Sequence, residues 1–352
     1  MLLEGIFAAI TTPFYPDSRL YLRKLEHNVE RYSRTPLSGL VVLGSTGEAV
    51  MLGDEESREI LKTACQAASA DKVLIAGVGR ESVSQTLQLA EFAANQDYDA
   101  VLVRTPNFYT PQMGNAAILN YYRMVADASP VPVILYNIPK FTKYDLPVEV
   151  IAELAFHPNI VGLKDSSGRV EQIAAVVAAT QLVPRRKVTV TEIFAAVTQR
   201  MLEAPPSIEA ATFISAEMLG GGGALAMSPP RPAVKTRTKE VGFQLLSGSP
   251  ATLFDSLEAG ATGAVLALAA SAPQACLEIY TAWKDKDRAL ALEKQERILR
   301  ASARVGSELG IAGVKYACDL NGYYGGAPRM PLLPLTADLK AEVAQIMDNI
   351  RN

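Results

Sequence analysis

Residues 132–164 read PVILYNIPKFTKYDLPVEVIAELAFHPNIVGLK, and this stretch decides the fold class of the chain. Two short apolar runs, PVILYN (132–137) and IVGLK (160–164), flank a segment in which Pro147 is placed to open a helix after Leu146. Each run is too short for a typical helix and is apolar on both faces, as parallel strands covered by helices must be. The stretch therefore predicts a strand–helix–strand unit of a parallel sheet.

The same alternation continues on both sides of this unit. Helical patterns separate the runs, and Asp54 is predicted to cap one of these helices. The other strand-like runs are GIFAAI (5–10), GLVVLG (39–44), KVLIAGV (72–78), DAVLVR (99–104), FQLLSG (243–248) and GAVLAL (263–268). Eight strands alternating with helices predict an α/β fold, a (β/α)8 TIM barrel over residues 1–272, rather than a doubly wound sheet. Residues 273–352 contain only helical patterns, including 287–305 and 336–350, and predict a C-terminal helical appendage.

Residues 182–240 interrupt this rhythm and predict an insertion between helix 6 and strand 7. No barrel strand is expected there, and the pattern around 192–204 predicts a helix. The glycine run 220–223 and the proline-rich run 229–232 are typical of flexible linkers. A connection from a helix to the next strand lies at the amino-terminal face of a barrel, opposite the catalytic face. We therefore expect the insertion to serve stability or interaction rather than catalysis.

Composition excludes several classes of function. The net charge is −3 with interspersed signs and no basic run, so nucleic acid and anionic membranes are not expected partners. No apolar run approaches the roughly 18 residues of a membrane span, and the N-terminus predicts a strand rather than a signal peptide. Two histidines, His27 and His157, and three scattered cysteines, Cys65, Cys276 and Cys318, disfavour a metal site and a Ser–His–Asp triad. The cysteines are typical of buried thiols in a reducing compartment and predict a cytoplasmic protein.

Polar residues follow two of the predicted strands at the edge where barrel chemistry occurs. Strand 2 ends in GSTGE (44–48), whose glycines let backbone and hydroxyl donors converge on an anion such as a carboxylate; an ordinary turn is the alternative. Strand 5 ends in Tyr136, which is placed to shuttle a proton or, alternatively, to serve as a buried structural residue.

Strand 6 ends in Lys164, whose stem is predicted to lie in the barrel. Desolvation favours a neutral amine, and a neutral amine attacks a ketone to form a Schiff base; a snorkelling surface lysine is the alternative. Small residues near Gly248 and Val265 leave room for a compact ligand or, alternatively, pack the barrel tightly. Together these strand ends suit a 2-oxo acid, and the imine would act as an electron sink for breaking a carbon–carbon bond without metal or cofactor.

The order GSTGE (44–48), TP plus an aromatic (105–109), YNIP (136–139) and GLKD (162–165) resembles the dihydrodipicolinate synthase / N-acetylneuraminate lyase family of class I, Schiff-base aldolases. The resemblance covers residues 1–180 and 241–352. The subfamily that looks most similar is the 4-hydroxy-2-oxoglutarate aldolases. The stretches that carry this closer resemblance are GVGRES (77–82), HPNIVGLKDSSG (157–168) and NGYYGGAPRMPL (321–332).

The resemblance implies a role for each matching residue. Lys164 would be the Schiff-base lysine and Tyr136 the proton shuttle. Ser45 and Thr46 would bind the carboxylate of the 2-oxo acid, with Ser45 also a hydroxyl of the proton relay. Gly248 and Val265 would line the pyruvate pocket. The resemblance also implies a homodimer or a homotetramer built from tight dimers.

The chain departs from the family pattern at two positions. Phe108 stands where the family has a relay tyrosine contributed by the neighbouring subunit, so Tyr109 or a water would have to substitute. Phe141, flanked by Lys140 and Lys143, stands where dihydrodipicolinate synthases have an arginine that binds the second substrate's carboxylate. We therefore predict a 4-hydroxy-2-oxo acid aldolase. Alternatives are dihydrodipicolinate synthase, a dehydratase of sugar acids, and a non-catalytic homologue that binds a keto acid or a protein.

Overall fold

The computed structural model describes residues 1–202 and 234–350. Its strands are β1 Gly5–Ala9, β2 Gly39–Val42, β3 Val73–Gly77, β4 Ala100–Arg104, β5 Val133–Asn137, β6 Ile160–Asp165, β7 Arg186–Thr191, β8 Thr236–Val241, β9 Gln244–Ser247 and β10 Gly263–Leu266. Eight of them form a closed barrel in the order β1-β10-β9-β6-β5-β4-β3-β2, and every pairing in it is parallel. The predicted (β/α)8 barrel is confirmed, and the eight predicted runs contain its strands except at Asp165, by which β6 extends one residue beyond its run.

Helices separate the barrel strands and cover the outside of the barrel. Those within the first 272 residues are α1 Leu22–Ser33, α2 Asp54–Ala67, α3 Val83–Ala94, α4 Asn115–Ala128, α5 Pro139–Thr142, α6 Val148–Ala155, α7 Val170–Ala179, α8 Gln199–Leu202, α9 Leu253–Glu258 and α10 Leu268–Ser271. Two predicted starts shift by one residue. Gly53 caps α2, with its N–H donating to the Glu56 carboxylate, and Pro147 caps α6. Asp54 is instead the first residue of α2, where a carboxylate stabilises the positive end of the helix.

The core has two layers. The outer layer packs the barrel against the surrounding helices, and the inner layer fills the barrel itself. Inward-facing side chains of the inner layer include Phe7, Val41, Ile75, Leu102, Ile134, Val161, Leu246 and Val265. The interior is therefore a packed core rather than a pore, and only its carboxyl-terminal end can hold a ligand.

Gly162 in β6 is required for the close approach of β9. A Cβ built at this position would lie 2.4 Å from the carbonyl oxygen of Gln244. We expect Gly162→Ala to lower the free energy of unfolding by about 1–3 kcal/mol, because β6 and β9 would have to separate. Urea unfolding measures the change, and Gly242→Ala is the control because a Cβ there meets no atom within 4 Å. Equal stabilities of the two variants would contradict this reading of the glycine.

The insertion leaves the barrel after α7 and returns at β9, as predicted. Its described part includes β7 and β8, which pair antiparallel and form a separate two-stranded sheet. Lys239 in β8 contacts Glu4 at 2.5 Å, and Arg186 in β7 donates to the carbonyl oxygens of His157 and Ile160 at 2.9 and 2.8 Å. Each of these partners immediately precedes or begins a barrel strand. The ribbon therefore packs against the amino-terminal end of the barrel, and its predicted role in stability or interaction stays a prediction.

The helix predicted over 192–204 is wrong for most of the described part, where only α8 is helical. A turn replaces it: the Phe194 N–H donates to the Thr191 carbonyl, and the Ala195 N–H donates to the Thr191 hydroxyl. Phe194 has a left-handed φ of 62°, which ends any helix at this point. The predicted linkers at 220–223 and 229–232 lie outside the described residues.

The last part of the chain is largely helical. It comprises α11 Pro273–Lys284, α12 Arg288–Arg300, a π-helical stretch Ala301–Glu308, α13 Gly310–Leu320 and α14 Ala337–Met347. An irregular segment over 321–336 joins α13 to α14. The division of the chain at residue 272 stays a prediction. Across residues 1–202 and 234–350, no helix combines the length and apolar character needed to cross a bilayer.

Candidate active site

Three polar side chains form a row across the carboxyl ends of β4, β5 and β6. Arg104 is in register with Tyr136, and Tyr136 is in register with Lys164. Register partners of parallel strands project to the same side of a sheet, and Tyr136 belongs to the inner layer of the barrel. The Lys164 and Tyr136 residues are 4% and 5% exposed, and the Arg104 side chain is 17% exposed. The row therefore lies in the mouth of the barrel.

The structure brings together the three residues predicted to be catalytic. The Lys164 ammonium nitrogen lies 4.1 Å from the centroid of the Tyr136 ring. The Tyr136 hydroxyl lies 3.3 Å from the Ser45 hydroxyl, within hydrogen-bond range. An amine, a phenol and an alcohol thus form one continuous group, which can bind a carbonyl compound and relay a proton.

The turn after β2 holds Ser45 and Thr46 in a single 3₁₀ turn, Ser45–Gly47. It is flanked by two non-glycine residues in the left-handed region, Leu43 with φ 59° and Glu48 with φ 57°. The Thr12 hydroxyl donates to the Gly47 carbonyl at 2.7 Å and holds the turn from below. Such backbone conformations cost free energy and cluster at functional sites, so this is not an ordinary turn.

The residues predicted to line the substrate pocket, Gly248 and Val265, lie in and after neighbouring barrel strands. Val265 is 1% exposed and belongs to the inner layer. Gly248 follows β9, and its N–H donates to the Asp165 carbonyl at 2.6 Å. A Cβ on Gly248 would lie 1.9 Å from the Ser166 hydroxyl oxygen, so only glycine allows the loops after β6 and β9 to meet.

A cavity of about 700 Å³ opens above the row. Its lining includes Ser45, Tyr136, Arg80, Glu81, Arg104, Phe108, Phe141 and Leu332. Lys164, Thr46, Gly248, Val265 and Tyr109 are not among the lining residues, and Lys164 adjoins the cavity through its contact with Tyr136.

Tyr109 is 62% exposed, and its ring meets Phe108 edge-on at 5.1 Å. Within one chain, the described structure therefore does not bring Tyr109 to Ser45 or Tyr136, and its substitution for the relay tyrosine stays a prediction.

Two polar networks around the row escaped the sequence interpretation. In the first, Asn137 donates to Asp165 at 3.1 Å and to Asp145 at 2.8 Å, which braces the ends of β5 and β6. Burial raises the pKa of Asp165, against the opposing effect of hydrogen bonds from Ser167 and Asn137. The sequence did contain a sign of this network: Asn137 directly follows Tyr136, and Asp165 directly follows Lys164.

The second network is centred on Glu81. Its carboxylate accepts hydrogen bonds from the Arg104 guanidinium and from the backbone N–H groups of Asn107 and Phe108, each at 2.9 Å. Burial alone would raise the pKa of Glu81, but these donors outweigh burial and lower it. The ionised carboxylate therefore holds both Arg104 and the loop that carries Phe108.

The two histidines lie away from the cavity. His157 contacts Asp127 at 2.9 Å before β6, at the amino-terminal end of the barrel, and His27 contacts the Gly322 carbonyl at 3.4 Å. In the part of the chain that the structure describes, no cluster of three or more His, Cys, Asp or Glu side chains is arranged to hold a metal ion.

Comparison with known proteins places this barrel in a family. The family model described as the dihydrodipicolinate synthetase family matches residues 2–183 and 232–350. A 4-hydroxy-tetrahydrodipicolinate synthase of Methanothrix thermoacetophila is 27% identical over 346 residues, which cover 98% of this chain and 96% of that protein. The enzyme of the same name from Xanthomonas axonopodis pv. citri is 38% identical over 178 residues, covering 51% of this chain and 58% of that protein.

Solved structures share the fold over nearly the whole length. YagE, a prophage protein of the dihydrodipicolinic acid synthase family from E. coli K12 solved with pyruvate, has a TM-score of 0.78 at 22% identity. The chloride-inhibited dihydrodipicolinate synthase of Acinetobacter baumannii, also solved with pyruvate, has a TM-score of 0.78 at 24% identity. Both alignments cover 99% of each chain. The chain belongs to the dihydrodipicolinate synthetase family and is an enzyme of this family of carbon–carbon lyases.

Proposed function

We propose that the protein is a class I aldolase that forms an imine between Lys164 and a 2-oxo acid and cleaves 4-hydroxy-2-oxo acids to pyruvate and an aldehyde. The observation that carries this proposal is the contact of a buried lysine with a tyrosine whose hydroxyl lies 3.3 Å from Ser45. Two structural neighbours were solved with pyruvate, which supports pyruvate as the ketone.

Binding begins with the substrate carboxylate on the hydroxyls of Ser45 and Thr46, held by the constrained turn after β2. The neutral amine of Lys164 attacks the C2 carbonyl, Tyr136 donates a proton, and loss of water gives a protonated imine and leaves Tyr136 deprotonated. Gly248 and Val265 leave space for the three-carbon fragment. In this proposed pose, C4 of the substrate would lie near Tyr136.

Cleavage follows from proton removal at the C4 hydroxyl. Deprotonated Tyr136 takes this proton, the bond between C3 and C4 breaks, and its electron pair moves through C3–C2 to the imine nitrogen. The aldehyde leaves, C3 of the enamine is protonated, and water hydrolyses the imine to pyruvate and free Lys164. Ser45 relays the proton between Tyr136 and the substrate side of the site.

Arg104 supports a substrate with a second carboxylate on C4. It is adjacent to Tyr136 in register and lines the cavity, so a carboxylate attached to the carbon that Tyr136 serves would lie beside its guanidinium. The carboxylate of aspartate semialdehyde would lie two carbons farther out, where Phe141 lines the mouth. All three cations have protein partners: Lys140 donates to the Ser307 carbonyl, Lys143 to the Lys140 carbonyl, and Arg104 to Glu81 and Asn107. Arg104 is preferred because it lines the cavity beside Tyr136.

Borohydride trapping tests the imine. Incubation with pyruvate and borohydride is expected to leave a stable reduced adduct on the peptide that contains Lys164, detected by mass spectrometry. Absence of any mass change in the folded protein would disprove the proposal. An adduct without turnover of any 2-oxo acid would instead support a non-catalytic keto-acid-binding homologue.

Dihydrodipicolinate synthase is the second candidate, because the curated relatives cited above carry the name 4-hydroxy-tetrahydrodipicolinate synthase. Assays of 4-hydroxy-2-oxoglutarate cleavage beside condensation of pyruvate with aspartate semialdehyde separate the two by kcat/KM. We expect cleavage to be faster. A higher kcat/KM for the condensation would assign the protein to the synthases.

Arg104→Leu is expected to lower kcat/KM for 4-hydroxy-2-oxoglutarate by about 10–100-fold, the effect of losing a hydrogen bond to a charged group. Cleavage of a 4-hydroxy-2-oxo acid with a methyl group in place of the distal carboxylate should change much less. Lys143→Leu is the matched control, since it removes a positive charge from the same mouth without touching Tyr136. An equal loss for both substrates would exclude Arg104 from substrate selection.

We also propose self-association and a cytoplasmic location. Large apolar side chains are exposed around the cavity mouth, among them Val50, Phe108, Tyr109, Phe141 and Leu333. Patches of this kind mark interaction surfaces, so a homodimer or homotetramer would bury them.

The proposed cytoplasmic location is supported by the cysteines, because the buried thiols of Cys276 and Cys318 fit a reducing compartment.

A further inference from the structure

We propose that a buried ion pair between Lys315 and Glu48 is a positioning device that holds the carboxylate-binding turn Ser45–Gly47 in its active shape. The pair joins α13 of the C-terminal region to the residue that directly follows this turn. The inference deepens the proposed function and rests on it for the role of the turn. Neither Lys315 nor Glu48 is proposed to contact substrate.

The pair is enclosed by protein on all sides. Lys315 Nζ lies 2.6 Å from Glu48 Oε1, and the two side chains are 0% and 1% exposed. The ammonium also donates to the Ala327 carbonyl at 2.9 Å and lies 4.4 Å from the centroid of the Phe14 ring. The other carboxylate oxygen accepts the backbone N–H of Arg329 at 2.7 Å. Both charges are therefore solvated by the protein alone.

Such a pair is expensive to bury. Burial lowers the pKa of Lys315, and the neighbouring Glu48 carboxylate opposes this shift. Well-packed apolar residues in the same space are often equally or more stabilising than a buried ion pair. Because stability alone does not explain the pair, we infer that its role is to hold the Ser45–Gly47 turn in one conformation.

Glu48 is the residue whose geometry matters. It adopts the left-handed conformation, and its N–H donates to the Ser45 carbonyl at 3.1 Å, which closes the turn. Few non-glycine residues hold this conformation without outside constraint. The ion pair fixes the far end of the Glu48 side chain, so the backbone of Glu48 and the hydroxyls of Ser45 and Thr46 keep one arrangement.

The segment after α13 supports the same turn. A Cβ on Gly325 would lie 1.8 Å from the Lys315 carbonyl oxygen, so this segment packs directly on α13. Arg329 forms two hydrogen bonds with the Glu56 carboxylate, at 2.6 and 2.7 Å, and a third with the Met51 carbonyl at 3.0 Å. The C-terminal region thus holds the turn and the start of α2 together.

The test compares Lys315→Met with Lys72→Met. Lys72 is also buried and donates to the Thr35 and Leu37 carbonyls, but at the amino-terminal end of the barrel. Both variants should lose thermal stability. Only Lys315→Met should raise KM for the 2-oxo acid, by about tenfold, and raise equally the pyruvate concentration for half-maximal borohydride trapping, while kcat changes much less.

Hydrogen exchange gives a readout that does not depend on activity. Amides of residues 43–52 should exchange faster in Lys315→Met than in Lys72→Met at equal distance below each midpoint temperature. If Lys315→Met does not fold, Glu48→Gln keeps the shape, removes one charge, and is expected to shift the same quantities in the same direction. Unchanged KM with unchanged exchange of this segment, in the variant that folds, would overturn the proposal.

Failure of the proposed function gives a different result. If the wild-type protein is not trapped by pyruvate and borohydride, the imine mechanism falls. The exchange comparison then still decides whether the ion pair holds the turn: faster exchange supports the positioning role and equal exchange overturns it.

Discussion

Lys164→Ala is expected to abolish trapping by pyruvate and borohydride and to lower kcat for a 4-hydroxy-2-oxo acid by about 10⁴-fold or more, as removal of a nucleophile does in other enzymes. We expect no other amine of residues 1–202 and 234–350 to replace Lys164. Arg104 carries a guanidinium rather than an amine and is not a nucleophile. The ammonium groups of Lys140 and Lys143 are bound to backbone carbonyls at the mouth.

Lys164→Arg tests whether the side chain is needed as an imine-forming amine or only as a positive charge. Arginine puts a long, positively charged side chain beside Tyr136 but cannot form an imine, so this variant should fail as completely as Lys164→Ala. Lys143→Ala is the control for loss of a lysine at the same face and should retain activity. Steady-state kinetics, mass spectrometry after borohydride and circular dichroism measure the outcome. Substantial turnover by either Lys164 variant would sink the imine mechanism.

Much of the fold could be predicted because its signals are local. Each barrel strand is a short apolar run, and such a run can be recognised in the sequence without knowing which strands lie beside it. The grouping of Lys164, Tyr136 and Ser45 was also accessible, because the carboxyl ends of parallel strands meet at one edge. Lys164 and Tyr136 occupy matching positions in the strands that open and close the 132–164 stretch.

Other features depend on contacts that no local pattern shows. Glu48 and Lys315 are far apart in the chain, and only the packing of α13 against the turn that follows β2 makes them partners. Arg104 ends a strand that looked wholly apolar. Residues two apart in a strand share a face, and Leu102 faces the barrel interior. The same alternation would have indicated that the Arg104 side chain faces inward.

The error over 192–204 has a physical cause as well. The apolar residues there have helical spacing, but hydrogen bonds between Thr191 and Ala195 close a turn that competes with the helix. Phe194 and Ile193 are 49% and 82% exposed. The helical spacing of the apolar residues in this segment therefore does not correspond to a buried helix face.

The proposed relay depends strongly on Tyr136. Phe108 has no hydroxyl and Tyr109 is 62% exposed, and among the described residues the hydroxyls of Ser45 and Tyr136 are the pair of the predicted relay that lies within hydrogen-bond range. Protons must then reach Tyr136 through Ser45 or through water in the cavity. A variant that lacks the phenol should therefore be slow even with the lysine intact.

Tyr136→Phe is expected to lower kcat by about 10²–10⁴-fold, the usual contribution of a positioned acid–base group. The ring remains, so the Lys164 contact at 4.1 Å persists and borohydride should still trap pyruvate, at a reduced rate. Tyr144→Phe is the matched control: it removes a phenol that donates to Asn115 outside the site and should leave kcat nearly unchanged.

Ser45→Ala should lower kcat less than Tyr136→Phe does. The double variant Ser45→Ala/Tyr136→Phe should have a kcat only slightly below that of Tyr136→Phe, because both residues serve one relay. Full additivity of the two losses would show instead that Ser45 and Tyr136 act in separate steps.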